Sequence, residues 1–185
     1  MSNSINIDIK NKKITVIGMG ETGQSASLLA KKLGAIVLIS ESSVVTKNPF
    51  INNAKSIGIN IESGGHSEKI YDSDLWIISP GISDKINVVR NAKAKGIKIV
   101  SEIEFASWFT DKPIIGVTGS NGKTTTVSII NEILTKSELN PILTGNIGYA
   151  FSRAVLDDLD NCPENRIYII ELSSFQLEHI ETFKP

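Results

Sequence analysis

"GVTGSNGKTTT", Gly116 to Thr126, decides how this chain is read. The apolar run "PIIGV" enters it, and the helix-forming run "KTTTVSIINEILTKS" leaves it. A glycine turn between a strand and a helix start is a phosphate cradle. The first four N–H groups of the helix lack intrahelical partners, the helix dipole adds partial positive charge there, and glycines admit close approach of an anion. Gly119, Ser120, Asn121, Gly122, Lys123, Thr124 and Thr125 are the expected ATP contacts. Lys123 would meet the terminal phosphates as a mobile charge, and the Thr124 hydroxyl would ligate Mg²⁺. The usual spelling, G-x-x-x-x-G-K-[ST], puts glycine where this chain has Val117. A valine ending the strand costs the turn little, because Gly119 and Gly122 remain. A chance glycine turn with a solvated lysine does not explain G-K-T at the start of a helix after an apolar strand.

A second strand, "RIYIIE", ends at Glu171. In open α/β sheets ligands sit at the carboxyl ends of strands, so a carboxylate there can face the glycine loop and complete a Mg²⁺ site with Thr124. Thr124 and Glu171 are therefore the expected metal ligands, and Lys123 and Glu171 the candidate catalytic residues. The first hundred residues carry another glycine loop, "GMGETG" from Gly18 to Gly23, after the strand "KITVIG" and opening a helix. Glu41 ends the next strand, about where an acid meets a ribose. Alone, this fingerprint reads as an NAD-dependent dehydrogenase, which is the alternative class. It also reads simply as a diphosphate at a helix N-terminus. "SPGI", Ser79 to Ile82, follows the strand "DLWIIS" beside that loop.

Short β-rich runs alternate with helical stretches along the whole chain, which predicts an α/β protein with parallel sheets. A Rossmann-like domain over residues 1–100 is followed over 101–185 by the first part of a P-loop ATPase-like central domain. In the first, Ala26, Leu29, Ala30 and Leu33 recur at helical spacing before Gly34. In the second, Ile103, Phe105, Ala106 and Phe109 mark a helix, and Ile129, Ile130, Ile133 and Leu134 are expected to face the sheet. Trp76 and Trp108 are expected in the core. The chain stops soon after the strand ending at Glu171, so a fragment of a longer protein is expected.

Apolar residues make up 41% of the 185, enough for a buried core, and a net charge of −1 argues against a nucleic-acid or membrane surface. One cysteine, Cys162, excludes an internal disulfide and fits a reducing compartment. No apolar run suits a membrane span or a signal peptide, so a cytoplasmic location is expected. His66 and His179 are too few and too separated for a metal cluster.

The spelling T-G-S-N-G-K-T-T resembles the ATP-binding loop of the Mur ligase family, which also includes folylpolyglutamate synthases and which lacks the glycine at 117. "ELSSFQLE", Glu171 to Glu178, resembles the branch of that family that adds D-glutamate. The resemblance covers essentially the whole chain. It implies ATP- and Mg²⁺-dependent amide formation between UDP-N-acetylmuramoyl-L-alanine and D-glutamate by a monomer in peptidoglycan precursor synthesis, with D-glutamate gripped by a further C-terminal domain. It turns Gly18, Gly20, Glu21, Thr22, Gly23, Glu41, Ser79, Pro80 and Gly81 into contacts for the UDP-substrate, with Asn146 (in "TGNIG") and Ser173 as further substrate or metal-water contacts. Glu21 stands where relatives commonly have Leu or Lys and is expected to point outward. Glu41 stands where aspartate is usual.

Overall fold

Short strands closed by polar turns or glycines build the first sheet, and in the computed structural model, which describes residues 7–185, five of them lie side by side, with the mostly polar Asn60–Ser63 at one edge. β1 (Lys13–Ile17), β2 (Ile36–Glu41), β3 (Asn60–Ser63), β4 (Leu75–Ile78) and β5 (Lys98–Ser101) form a parallel sheet in the order β3-β2-β1-β4-β5. β4 is buried at all four positions, as a parallel strand covered on both faces requires. The crossover helices are α1 (Glu21–Lys32), α2 (Pro49–Ser56) and α3 (Asn87–Ala94). Asn48 starts α2 by accepting the Phe50 N–H, with Pro49 at the first helical position. The chain leaves β1 toward β2 and returns on the other side to β4. The carboxyl ends of β1 and β4 therefore flank a topological switch point, the crevice where such sheets bind ligands.

β6 (Ile114–Val117), β7 (Asn140–Gly145) and β8 (Arg166–Glu171) form a second parallel sheet in the order β6-β8-β7. α5 (Lys123–Lys136) joins β6 to β7, and α6 (Phe151–Asp158) joins β7 to β8. Register pairs Glu171 with Val117 on one side and with Gly145 on the other, so three strand ends meet at one edge. The expectation that Ile129 and Ile133 face this sheet is corrected: they are 52% and 57% exposed. Val127 is the buried residue of α5, with Ile130 and Leu134 half-buried. At about 100° per residue, 130 and 134 lie within about 60° of Val127, whereas 129 and 133 lie about 160° and 120° away from it. The valine sets the rotation of the helix and turns the two isoleucines outward.

One apolar core runs between the sheets. Val16 and Leu29 belong to it, with Phe105 and Trp108 from around α4 (Glu102–Ser107) and Phe151 and Tyr168 from the second sheet and α6. Trp76 is fully buried as expected, in a separate cluster with Ile70 and Val89. Burial of each such side chain is worth about 1.5–3 kcal/mol.

Two carboxylates in the first turn of α4 lie in this core and are driven in opposite directions. Glu102, 2% exposed, accepts the Ser152 N–H and so caps α6, which has no side-chain cap of its own at Ala150; its other oxygen has no partner among the described residues. Burial is the main cause that pushes its pKa up, to about 7, against bonds from Ser152 and with help from the charge of Glu21. A carboxyl raised in the folded state contributes stability that is whole below its unfolded pKa and lost as pH rises through the folded one. Glu102→Gln keeps an acceptor for Ser152 and removes that loss. Its melting temperature relative to the parent chain is expected to be higher at pH 8 than at pH 5, by the equivalent of about 2–3 kcal/mol. Equal differences at the two pH values would contradict this account.

Candidate active site

The glycine loop emerges from β6 as an exposed turn, Thr118 to Gly122, and the amides opening α5 face the same edge as Glu171. Lys123 Nζ donates to the Gly119 carbonyl at 2.8 Å, so the ammonium is held back against its own loop. Glu171 is 2% exposed. Its Oε2 accepts the Thr124 hydroxyl at 2.7 Å and its Oε1 accepts the Asn146 side-chain amide at 2.9 Å. The backbone repeats this grip, because the Asn146 N–H donates to the Glu171 carbonyl at 2.8 Å. That contact needs glycine at 145, where a Cβ would sit 2.4 Å from the same carbonyl oxygen. Two residues on, the Ser173 N–H and hydroxyl both donate to Gln176 Oε1 at 3.0 Å.

This constellation fits Mg²⁺. Neighbouring ligand oxygens of an octahedral Mg²⁺ lie about 2.9 Å apart, close to the 2.7 Å between Thr124 Oγ1 and Glu171 Oε2. Among the described residues no group of three or more His, Cys, Asp or Glu side chains could hold a metal. Mg²⁺ needs none, since one carboxylate and a hydroxyl suffice when phosphates and water supply the rest.

The second cleft lies at the switch point of the first sheet. It measures about 450 Å³ and brings together Gly18, Gly20, Glu41, Ser79 and Gly81. Glycine is required at 23, where a Cβ would lie 2.1 Å from the Gly18 carbonyl, so loop and helix close on each other and leave the first amides of α1 facing out. Glu21 at the start of α1 is exposed, as expected, and Thr22 is half-buried. Glu41 is already engaged: its oxygens accept the Met19 N–H at 2.9 Å, the Ser43 N–H at 3.0 Å and the Ser42 hydroxyl at 3.2 Å. The Ser43 bond, opposed by burial and joined by the bonds from Met19 and Ser42, holds its pKa below the ordinary carboxylate value. The Ser79 hydroxyl is buried, with no partner among the described residues; the Cβ position of Gly18 lies only 2.7 Å from it. It sits under the loop rather than in the open cleft, leaving amides as the accessible donors.

Pro80 turns the other way. It lines a water-sized void of about 10 Å³ with Phe175, Gln176 and His179 of the segment that follows β8. Here the two sites meet: His179 Nε2 lies 3.0 Å from Asp84 Oδ1, and the Ser101 N–H donates to the His179 carbonyl. Asn146 bonds to Glu171 and Ser173 to Gln176, and neither lines the cleft of Gly18 and Glu41. His66 lines that cleft although it was set aside from the sequence, and Nδ1 of its ring lies 2.7 Å from Ser40 Oγ.

A glycine loop that opens a helix beside a buried carboxylate, joined to a parallel-sheet unit with a second glycine loop at a helix start, defines an α/β protein of two joined units, each with the backbone geometry of a phosphate cradle. The chain belongs to the Mur ligase family: residues 12–101 match the Mur ligase MurD-like N-terminal domain, and residues 117–184 match the Mur ligase middle domain. It is 43% identical over 175 residues to a UDP-N-acetylmuramoylalanine--D-glutamate ligase of Christiangramia forsetii, an alignment covering 94% of this chain and 38% of that protein. A ligase of the same name from Streptococcus pneumoniae is 39% identical over 178 residues, covering 95% of this chain and 39% of the relative. The chain thus spans about two-fifths of the length of these relatives. Among solved structures, the murein peptide ligase of Psychrobacter arcticus superposes with TM-score 0.56 at 22% identity, over 89% of this chain and 38% of that one. A pseudomurein peptide ligase type C from Methanothermus fervidus gives 0.52 at 27% identity, over 87% and 33%. Among the described residues no helix is long and apolar enough to cross a membrane.

Proposed function

We propose that this chain supplies the UDP-substrate cleft and the ATP loop of a ligase that joins D-glutamate to UDP-N-acetylmuramoyl-L-alanine. The observation that carries the reading is the Thr124–Glu171–Asn146 cluster at the mouth of the T-G-S-N-G-K-T loop, in a chain whose relatives bear that ligase name. In this scheme the alanine carboxylate attacks the γ-phosphorus of ATP and ADP leaves. The amine of D-glutamate then attacks the acyl carbon of the mixed anhydride and phosphate leaves. Such chemistry asks for charge neutralisation and positioning more than for covalent help. Gly119 to Thr125 cradle the phosphates through backbone amides. Lys123 leaves the Gly119 carbonyl for the γ-phosphoryl oxygens. Thr124 and Glu171 would hold Mg²⁺, which would supply charge neutralisation for the transferring phosphates. Asn146, which donates to Glu171 Oε1, and Ser173, two residues after that carboxylate, would serve the acceptor carboxylate or metal-bound water.

The first unit, up to about residue 100, takes the uridine diphosphate. The amides at the start of α1, Gly20, Thr22 and Gly23, and the amide of Gly81 receive the diphosphate, while the Glu21 carboxylate stays in solvent. A dehydrogenase would use that first loop alone and leave Lys123, Thr124 and Glu171 without a task. A chain with the full length of the relatives is expected to release phosphate from ATP only when both UDP-N-acetylmuramoyl-L-alanine and D-glutamate are present. Release that ignores D-glutamate, or a 185-residue chain that fails to bind UDP at millimolar concentration, would sink the assignment.

A further inference from the structure

Beyond the glycine loop the cleft continues across the carboxyl ends of β2 and β3. The turn after β3 reads Gly64-Gly65-His66. The Gly64 N–H donates to the carbonyls of Glu41 and Ser43, 3.0 Å each, which folds this turn back over the end of β2. His66 then comes to rest with Nδ1 2.7 Å from Ser40 Oγ, and Ser40 Oγ donates to Glu62 Oε1 at 2.6 Å. Ser40 and Glu62 are register partners on β2 and β3, so the relay is built into the sheet.

The relay fixes the imidazole. Burial raises the pKa of Glu62, but bonds from the Ser40 hydroxyl and from Ser67 hold it below the ordinary value. An ionised carboxylate only accepts, and a serine hydroxyl has one proton to give. That proton goes to Glu62, so the Ser40 oxygen accepts from Nδ1–H. The neutral ring is then the Nδ1–H tautomer, and its Nε2 presents a lone pair. Among the described residues no group bonds to Nε2, and the ring lines the cleft beside Glu41, Ser42 and Gly20. Glu41 is the less available acceptor, since three donors already occupy its carboxylate.

Position along the sheet decides what Nε2 meets. A diphosphate on the loop after β1 puts the ribose over β2 and the base toward β3, about 10 Å across two strand spacings. Uracil presents an acceptor, the N3–H donor and a second acceptor; cytosine carries a lone pair at N3 instead. We propose that His66 is the base-reading residue of this cleft, its Nε2 accepting the N3–H of uracil and so selecting uridine over cytidine nucleotides. The proposal rests on the first unit being a uridine diphosphate site.

Calorimetric titration of the 185-residue chain with UDP, CDP and N3-methyl-UDP tests it. The parent chain is expected to bind UDP about 10–100-fold more tightly than either analogue, the size of effect expected when one hydrogen bond is lost and its acceptor left unpaired. His66→Ala is expected to bring the three within about threefold, mainly by weakening UDP. A parent chain that binds N3-methyl-UDP as well as UDP overturns the inference without any variant having to fold. So does a folded His66→Ala chain that keeps the UDP preference. If the parent chain binds none of the three, the uridine-diphosphate reading itself falls, which is a different result from binding without discrimination.

Discussion

Lys123→Ala is expected to cut D-glutamate-dependent phosphate release about 10²–10³-fold in a chain of the relatives' full length, with the melting temperature unchanged within error. The magnitude is that of losing one preorganised charge aimed at a developing anion. The side chain is half-exposed and bonds only to the Gly119 carbonyl, an arrangement whose removal leaves the core untouched. Lys123→Arg is not expected to restore the rate, because a planar guanidinium cannot replace a compact ammonium inside a tight loop. If, as proposed, the charge acts on the transferring phosphoryl group and the other cleft takes the muramoyl substrate, the loss should fall on kcat and leave KM for that substrate unchanged. Steady-state kinetics with ATP and the muramoyl substrate varied separately makes the distinction. Retention of a tenth or more of the parent rate would remove Lys123 from the mechanism.

Legibility from the sequence followed a physical line. Features whose parts are adjacent in the chain were readable: two glycine loops, each between a strand and a helix start, and a carboxylate ending an apolar strand. Parallel-sheet logic then put Glu171 at the edge of the glycine loop, because β6 and β8 are neighbours in register. What escaped depends on partners far apart in sequence. His66 reaches the cleft only because β2 and β3 align Ser40 with Glu62 and the Gly64 amide turns back on Glu41. The rotation of α5 was misread because Ile129, Ile130, Ile133 and Leu134 form a plausible stripe by themselves. Val127, nearest the loop, set the face instead. Glu102 and Glu104 carry no local signal of their roles, since the donors each carboxylate meets lie 50 and 78 residues away.

Glu104 is where that distance matters most for stability. It is fully buried, and its carboxylate collects the N–H groups of Glu181, Thr182 and Phe183, the Thr182 hydroxyl and the Trp108 indole N–H. These donors tie the segment after β8 to α4, and through it the chain that runs from Glu171 past His179 and Asp84. Burial raises the pKa of Glu104, but the bonds from Thr182, Phe183, Trp108 and Glu181 outweigh it and leave the net shift downward. A depressed carboxyl contributes stability that is present above its unfolded pKa and lost as pH falls through the folded one, opposite to Glu102. Glu104→Ala strands several buried donors at once and is expected to cost about 3–5 kcal/mol. Glu104→Gln should cost less at neutral pH and show a shallower loss of stability under acid than the parent chain. Urea denaturation at pH 7.5 and pH 4 measures both. A Glu104→Ala chain within about 1 kcal/mol of the parent would mean that the 181–183 segment is held by its apolar contacts alone. The ionised Glu104 would then have no part in coupling the ATP edge to the first sheet.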